Sequence, residues 1–214
     1  MNSICAVITN KLMALFLVCL FILSACASMN QAECVNADWR TIGFEDGTVG
    51  AHPNRIGSHR KACIEYGISP DLDAYNDGHS QGVELYCRPH SGFQAGLRGH
   101  SYNGVCPAEL ENEFLVAYQT GRAIYAAEKE IQRLDKLIRK DIADLNTLND
   151  EIKLHESELI NNKTTRKQRI ELLSTLKALS TRQHDLAIHI RDLELDKANL
   201  QEQLDNYKVS AAYL

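Results

Sequence analysis

The sequence predicts a mainly α-helical protein: a small disulfide-stapled helical domain built on a glycine/aromatic repeat, followed by a long antiparallel coiled-coil hairpin. Three observations predict it. Eleven of the twelve glycines lie between Gly43 and Gly104. All four prolines lie at or before Pro107. Beyond Pro107 apolar residues recur every seven positions, the pattern of a coiled coil. The whole-chain averages, 44% hydrophobic and 24% charged over 214 residues, conceal these unlike parts. The formal charge of −5 gives no electrostatic support for a nucleic-acid partner. No internal apolar run is long enough for a polytopic membrane protein.

Residues 1–25 read as an export signal. Lys11 precedes an apolar run from Leu12 to Leu23, and Ser24, Ala25 and Cys26 follow. The run is short for a bilayer span and carries the flanks of a signal peptide. Leu23-Ser24-Ala25-Cys26 resembles the bacterial lipobox, which implies cleavage before Cys26 and acylation of its thiol and amino group. Several acyl chains anchor a soluble domain stably, at about 0.8 kcal/mol per buried methylene. Ala27 follows, where an Asp would resemble an inner-membrane retention signal. The expectation is therefore a lipid anchor on Cys26 in the outer membrane, facing the periplasm, with 26–33 as a lipidated linker.

Seven cysteines are present. Cys5 and Cys19 fall within the signal and Cys26 takes lipid, which leaves Cys34, Cys63, Cys87 and Cys106. In an oxidising compartment two disulfides are the natural reading. Four cysteines allow three pairings, and the sequence does not choose among them.

Residues 34–124 form the expected disulfide-bonded domain. An aromatic residue, two others and a glycine recur as Phe44…Gly47, Tyr75…Gly78, Phe93…Gly96 and Tyr118…Gly121. Small residues four apart accompany them: Gly43/Gly47, Gly78/Gly82, Gly92/Gly96 and Ala117/Gly121. Residues four apart share a helix face, so these positions let two helical backbones approach closely. Pro53, Pro70 and Pro89 mark breaks between short helices. The alternative treats the glycines as turn residues, because glycine disfavours helix by roughly 1 kcal/mol.

Cys34, Asp38-Trp39, Ile42-Gly43-Phe44-Glu45-Asp46-Gly47, Arg55, Cys63, Tyr75…Gly78…Gly82, Tyr86-Cys87, Gly92…Gly96…Gly99, Tyr102 and Gly104-Val105-Cys106-Pro107 together resemble the bacterial lipoprotein family called domain of unknown function 2799. The resemblance spans about residues 30–125. It implies a periplasm-facing domain behind a lipobox and carries no reaction.

Chemistry is sparse. Cys87-Arg88-Pro89-His90 has zinc-ligand spacing, but a site needs a second pair and none occurs. Asp71–Gly78 lacks the terminal Glu of a calcium loop, so Ser69-Pro70-Asp71 reads as a turn and helix cap. No Gly-x-Ser-x-Gly or phosphate loop is present. No catalytic residue, metal or cofactor is assigned, and the protein is not read as an enzyme. Trp39, Phe44, Tyr75 and Phe93 are candidate binding aromatics. Trp39 could stack on a glycan ring, although a core anchor is the plainer reading.

Residues 125–208 carry the heptads, with 209–214 as a tail. Ile124, Ile131, Ile138, Leu145, Ile152 and Leu159 form one register, and Leu172, Leu179, Leu186, Leu193, Leu200 and Tyr207 another. Asp141 and His155 interrupt the first at its alternate positions, with Ile142 compensating in part, and Gln183 and Lys197 interrupt the second. Asn161-Asn162 and a capping box from Thr165 to Gln168 mark a break. The spacing predicts helices over about 108–160 and 165–208, folded back on each other. The competitor is one continuous helix in a parallel homodimer. Lys163, Arg166, Lys167 and Arg169 make the hairpin tip basic, a candidate contact for an envelope protein, cell-wall polymer or lipopolysaccharide. The expected function is an adaptor that presents this hairpin to an envelope partner. The alternative is a module that binds a glycan, lipid or metal through the glycine/aromatic domain.

Overall fold

The computed structural model describes residues 29–212. The expected signal peptide and the acylated Cys26 lie outside the described residues, as do the last two residues of the tail. The described chain is helical and contains no strand. Its helices are α1 (Gln31–Val35), α2 (Trp39–Thr48), α3 (Ile56–Cys63), α4 (Leu72–Tyr86), α5 (Pro89–Leu97), α6 (Ala108–Ile160) and α7 (Arg166–Ala211). Short 3-10 turns at Pro53–Arg55 and Ile64–Tyr66 flank α3. No described helix is long and apolar enough to cross a membrane.

The chain divides into two compact units. One runs through Cys87 and includes Asn103–Pro107; the other comprises Arg88–Tyr102 and Ala108 onward. The expected boundary at 124/125 falls inside α6, whose backbone is continuous there.

In the first unit α2 packs on α4. Asp38 caps α2 by accepting from the Arg40 and Thr41 backbone amides at 3.1 and 3.2 Å, and Asp71 caps α4 through Ala74 N at 2.9 Å. A Cβ on Gly78 would fall on the Arg40 carbonyl oxygen, and one on Gly43 would fall on that of Tyr75. Only glycine lets these backbones approach so closely. Cys34 pairs with Cys63 and packs with Trp39 and Tyr75 in one core cluster. Cys87 pairs with Cys106. The pairing left open by the sequence is thus Cys34–Cys63 and Cys87–Cys106.

In the second unit α5 packs on the first turns of α6 by the same device. A Cβ on Gly96 would fall on the Tyr118 carbonyl, and one on Gly121 on that of Phe93. The turn alternative does not hold for the repeat glycines, which lie within helices; other glycines make the turns. Gly50 and Gly99 adopt φ of +68° and +75°, each beneath a tyrosine ring, Tyr86 and Tyr125 respectively.

These two helix pairs are copies of one motif. Gly43, Gly47 and Gly50 correspond to Gly92, Gly96 and Gly99, and Tyr75, His79, Gly82 and Tyr86 to Phe114, Tyr118, Gly121 and Tyr125. Hydrogen bonds correspond too. His79 Nε2 donates to Ala51 O at 2.8 Å, and Tyr118 Oη donates to His100 O at 2.8 Å. In each copy a disulfide joins the chain before the first helix to the chain before the second.

Beyond Tyr125, α6 continues into an antiparallel hairpin with α7. At 1.5 Å per residue, Gly121 to Ile160 spans about 60 Å. Leu134, Ile138, Ile190 and Leu193 form a buried seam cluster, and Ile124, Ala127 and Leu204 another. Between residues 149 and 189 no residue is buried, because two helices alone cover only one stripe of each other. Asp141 is not bypassed by Ile142. Asp141 is 7% exposed and Ile142 is 41% exposed, since His189 across the seam supplies a polar partner for the carboxylate.

Candidate functional site

Among the described residues of the first unit, Asp46 centres a buried polar cluster. Asp46 lies three residues after Gly43 and one before Gly47, on the glycine face of α2, and is therefore carried into the interface with α4. Its Oδ2 accepts from Tyr75 Oη at 2.9 Å and lies 3.1 Å from His59 Nε2. Its Oδ1 lies 3.1 Å from Arg55 Nε. A buried carboxylate is tolerable only when paired and hydrogen-bonded, and these three groups meet that need. Burial, and then donation to Asp46, push the Tyr75 hydroxyl well above the ordinary tyrosine range.

The copied motif explains the cluster. In the second pair Ala95 and Phe114 stand where Asp46 and Tyr75 stand in the first. The first pair is longer between its helices by a detour that contains α3, and Arg55 and His59 belong to that detour. Asp46 therefore pins the detour to the helix pair, alongside the Cys34–Cys63 bridge. The second pair has a short connection and an apolar contact instead.

His79 stacks on Tyr75, with ring centroids 5.9 Å apart. A carbonyl oxygen only accepts, so the bond to Ala51 O fixes the hydrogen on His79 Nε2. His79 also lines an open cleft of about 460 Å³, together with His52, Asn76, Ser80, Glu84 and the Gly104–Pro107 segment. That volume lies within the usual size of small-molecule pockets, about 300–1,000 Å³. Among the described residues no group of three or more His, Cys, Asp or Glu is placed to hold a metal ion.

The aromatics singled out in the first unit do not form a common exposed face. Tyr75 is fully buried and Trp39 is 8% exposed, within the core cluster of the Cys34–Cys63 bridge. Neither offers a ring face to a ligand, because each ring fills the space beside the disulfide. Phe44 is 37% exposed on α2. Phe93, in the second unit, packs with Leu97 against the Ile124 cluster. The Asp46 cluster was legible only in part. Its signal was the i, i+3, i+4 spacing of Gly43, Asp46 and Gly47, which forces the carboxylate inward.

The hairpin carries polar pairs across its seam. Gln183 Nε2 donates to Asn149 Oδ1 at 2.6 Å. His189 Nδ1 lies 3.0 Å from Asp141 Oδ2. Lys197 Nζ donates to Asp135 Oδ1 at 2.6 Å, and this bond holds the Asp135 carboxyl below its ordinary range. The pairs step back along the two helices together, fourteen residues from Asn149 to Asp135 on α6 and fourteen from Gln183 to Lys197 on α7, so a slip of either helix would break all three. The residues that interrupt the heptads thus set the register.

At the tip the basic residues divide into two groups. Arg169 donates to Leu159 O at 2.7 Å, Asn161 O at 2.9 Å and Thr164 O at 3.2 Å. It satisfies the Leu159 carbonyl at the end of α6, which has no partner within the helix, and two carbonyls of the turn. The capping box closes the other side, with Thr165 N donating to Gln168 Oε1 at 2.8 Å. Lys163, Arg166 and Lys167 are exposed. Ile160 and Ile170, on either side of the turn, are 77% and 60% exposed.

Residues 38–123 match the family model described as "Protein of unknown function (DUF2799)". The resemblance carried by the cysteine, glycine and aromatic motifs is borne out over this segment. The match ends at residue 123 and so omits nearly all of the hairpin. No curated protein matches the chain, and no solved structure does.

Proposed function

Starting from a chain whose residues 38–123 carry the DUF2799 domain, we propose that it is a periplasm-facing lipoprotein of the outer membrane that acts as an adaptor. On this reading Cys26 carries the lipid anchor and the helical hairpin is presented to a partner in the cell envelope. One observation carries the reading. Helix α6 runs without a break from its glycine contact with α5, at Gly121, to the turn at Ile160. Close backbone packing at one end holds the helix, and three polar pairs keep its partner in register, so the arm is stiff over about 60 Å. A stiff arm with little buried area of its own suits presentation of a surface.

Photo-crosslinking from exposed positions of the arm in intact cells tests the reading. Recovery of one envelope component is the expected result. Recovery of none, with an unchanged phenotype after deletion of residues 125–208, would refute it. Acylation is tested by mass spectrometry of the mature chain, in which a Cys26→Ser change removes the lipid mass.

A second reading rests on the cleft beside His52 and His79. There the first unit captures a small envelope ligand such as a glycan fragment or lipid headgroup. It predicts ligand-dependent protection of His52 and Glu84, the exposed titratable groups of the cleft, from chemical modification in the full chain. Unaltered modification with envelope extracts added counts against it.

A further inference from the structure

We propose that the hairpin tip is a docking point for an anionic lipid surface, inserting Ile160 and Ile170 between phosphate-bearing headgroups. This inference rests on the adaptor reading and names the partner of the arm's far end.

Charge is sharply segregated along the arm. Residues 159–170 contain Lys163, Arg166, Lys167 and Arg169 and no acidic residue. The remainder of α6 and α7 holds nineteen Asp and Glu against twelve Lys and Arg. The tip is therefore a cationic point, bordered by Glu158 and Glu171, on an anionic shaft. Arg169 is committed to the carbonyls of the turn, which leaves Lys163, Arg166 and Lys167 facing outward. Lys167 makes one long contact with Glu171 at 4.0 Å, and its side chain is 88% exposed.

The apolar residues choose among anionic partners. Ile160 and Ile170 flank the turn at 77% and 60% exposure. A protein interface of ordinary size buries roughly 800 Å² on each partner and needs matching shape, which a two-helix tip of about twelve residues does not offer. A lipid surface needs no matching shape. It takes apolar side chains below the headgroups and cations at their level. A soluble polyanion would use the cations and leave both isoleucines in water.

The test places a reporter at the tip. Full-length chain carrying Ile160→Trp is mixed with vesicles of brominated phosphatidylglycerol and phosphatidylcholine, and tryptophan quenching is read against lipid concentration. The parent chain, which has Trp39 alone, supplies the background. Quenching by the anionic vesicles, absent with pure phosphatidylcholine and weakened by salt, is the expected result. The variant K163E/R166E/K167E shifts half-quenching by at least about a hundredfold, from roughly fivefold for each cation at such a surface. Arg169 stays in place, so the turn is kept, and helicity by circular dichroism confirms it. No quenching on anionic vesicles, equal quenching on neutral ones, or quenching indifferent to charge reversal each overturns the proposal. Crosslinks from the tip to an acidic protein without lipid quenching overturn it too, and leave the adaptor reading standing.

Discussion

Replacing Gly78 with alanine separates two effects that act in opposite directions. Alanine is the better helix former by about 1 kcal/mol, and Gly78 lies inside α4. An added Cβ, however, would fall on the Arg40 carbonyl group, with Arg40 C at 2.8 Å and Phe44 N at 3.0 Å. Ordinary contact begins near 3.4 Å, so α2 and α4 must part by at least about 0.6 Å. The obstacle is backbone, which has no rotamer to change. A gap of this size forfeits a quarter to a half of each contact's attraction, and a buried side chain makes about 50 contacts of roughly 0.15 kcal/mol each. Applied to this interface, that is a loss of about 2–4 kcal/mol, and a net loss of about 1–3 kcal/mol after the propensity gain. At about 4–8 °C for each kcal/mol in a domain of this size, the midpoint falls by roughly 5–20 °C. Near-ultraviolet circular dichroism at the long-wavelength tryptophan edge, where the tyrosines of the long helices do not absorb, follows Trp39 and the first unit. Gly57 is the control. It lies in α3 with nothing within 4 Å of its added Cβ, so Gly57→Ala is expected to be neutral or stabilising by up to about 1 kcal/mol. If Gly78→Ala behaves as Gly57→Ala does, close backbone packing does not set this fold.

Three further outcomes follow from the same geometry. Tyr75 keeps its proton in the folded state because burial and Asp46 raise its pKa, so its contribution is complete below the ordinary tyrosine range and is lost as pH rises toward the folded value; Tyr75→Phe removes this alkaline dependence in denaturation followed from neutral to high pH, and costs about 1 kcal/mol at neutral pH. The double change Asp141→Leu/His189→Leu replaces a half-exposed polar seam pair with apolar packing and is expected to stabilise the long helices by up to about 1 kcal/mol, read as a higher midpoint at 222 nm; a lower midpoint would show that the pair stabilises as well as registers. Arg169→Ala removes three hydrogen bonds to carbonyls of the turn and is expected to speed amide exchange across residues 158–166 by roughly tenfold or more, whereas Lys167→Ala leaves it unchanged.

The arm was legible because its signals are local. Heptads, two asparagines and a Thr-to-Gln capping box fix a helix, a stop and a new start without reference to anything distant. The choice between hairpin and parallel dimer was harder, because both bury the same seam. Asn149 with Gln183, and Asp135 with Lys197, decide it, because the two pairs are separated by the same number of residues on α6 and on α7, in opposite chain directions. The glycine domain was legible as a spacing rather than as an arrangement. Gly43/Gly47 and Gly78/Gly82 announce close approach, but the identity of each partner depends on residues thirty or more positions away. Trp39 and Tyr75 show the limit most clearly. A ring able to stack on a ligand and a ring packed beside a disulfide have the same sequence signature, and only burial separates them.

The matched spacing of the seam pairs on α6 and α7 also makes the arm a ruler. One heptad removed from each long helix at mirrored places, such as residues 146–152 with 179–185, withdraws Asn149 and Gln183 together and preserves every remaining pair. The tip then retreats by about 10 Å, and the glycine contacts at the base are untouched. Reach in this protein is thus set in whole-heptad steps, independently of what the base holds and of what the tip touches.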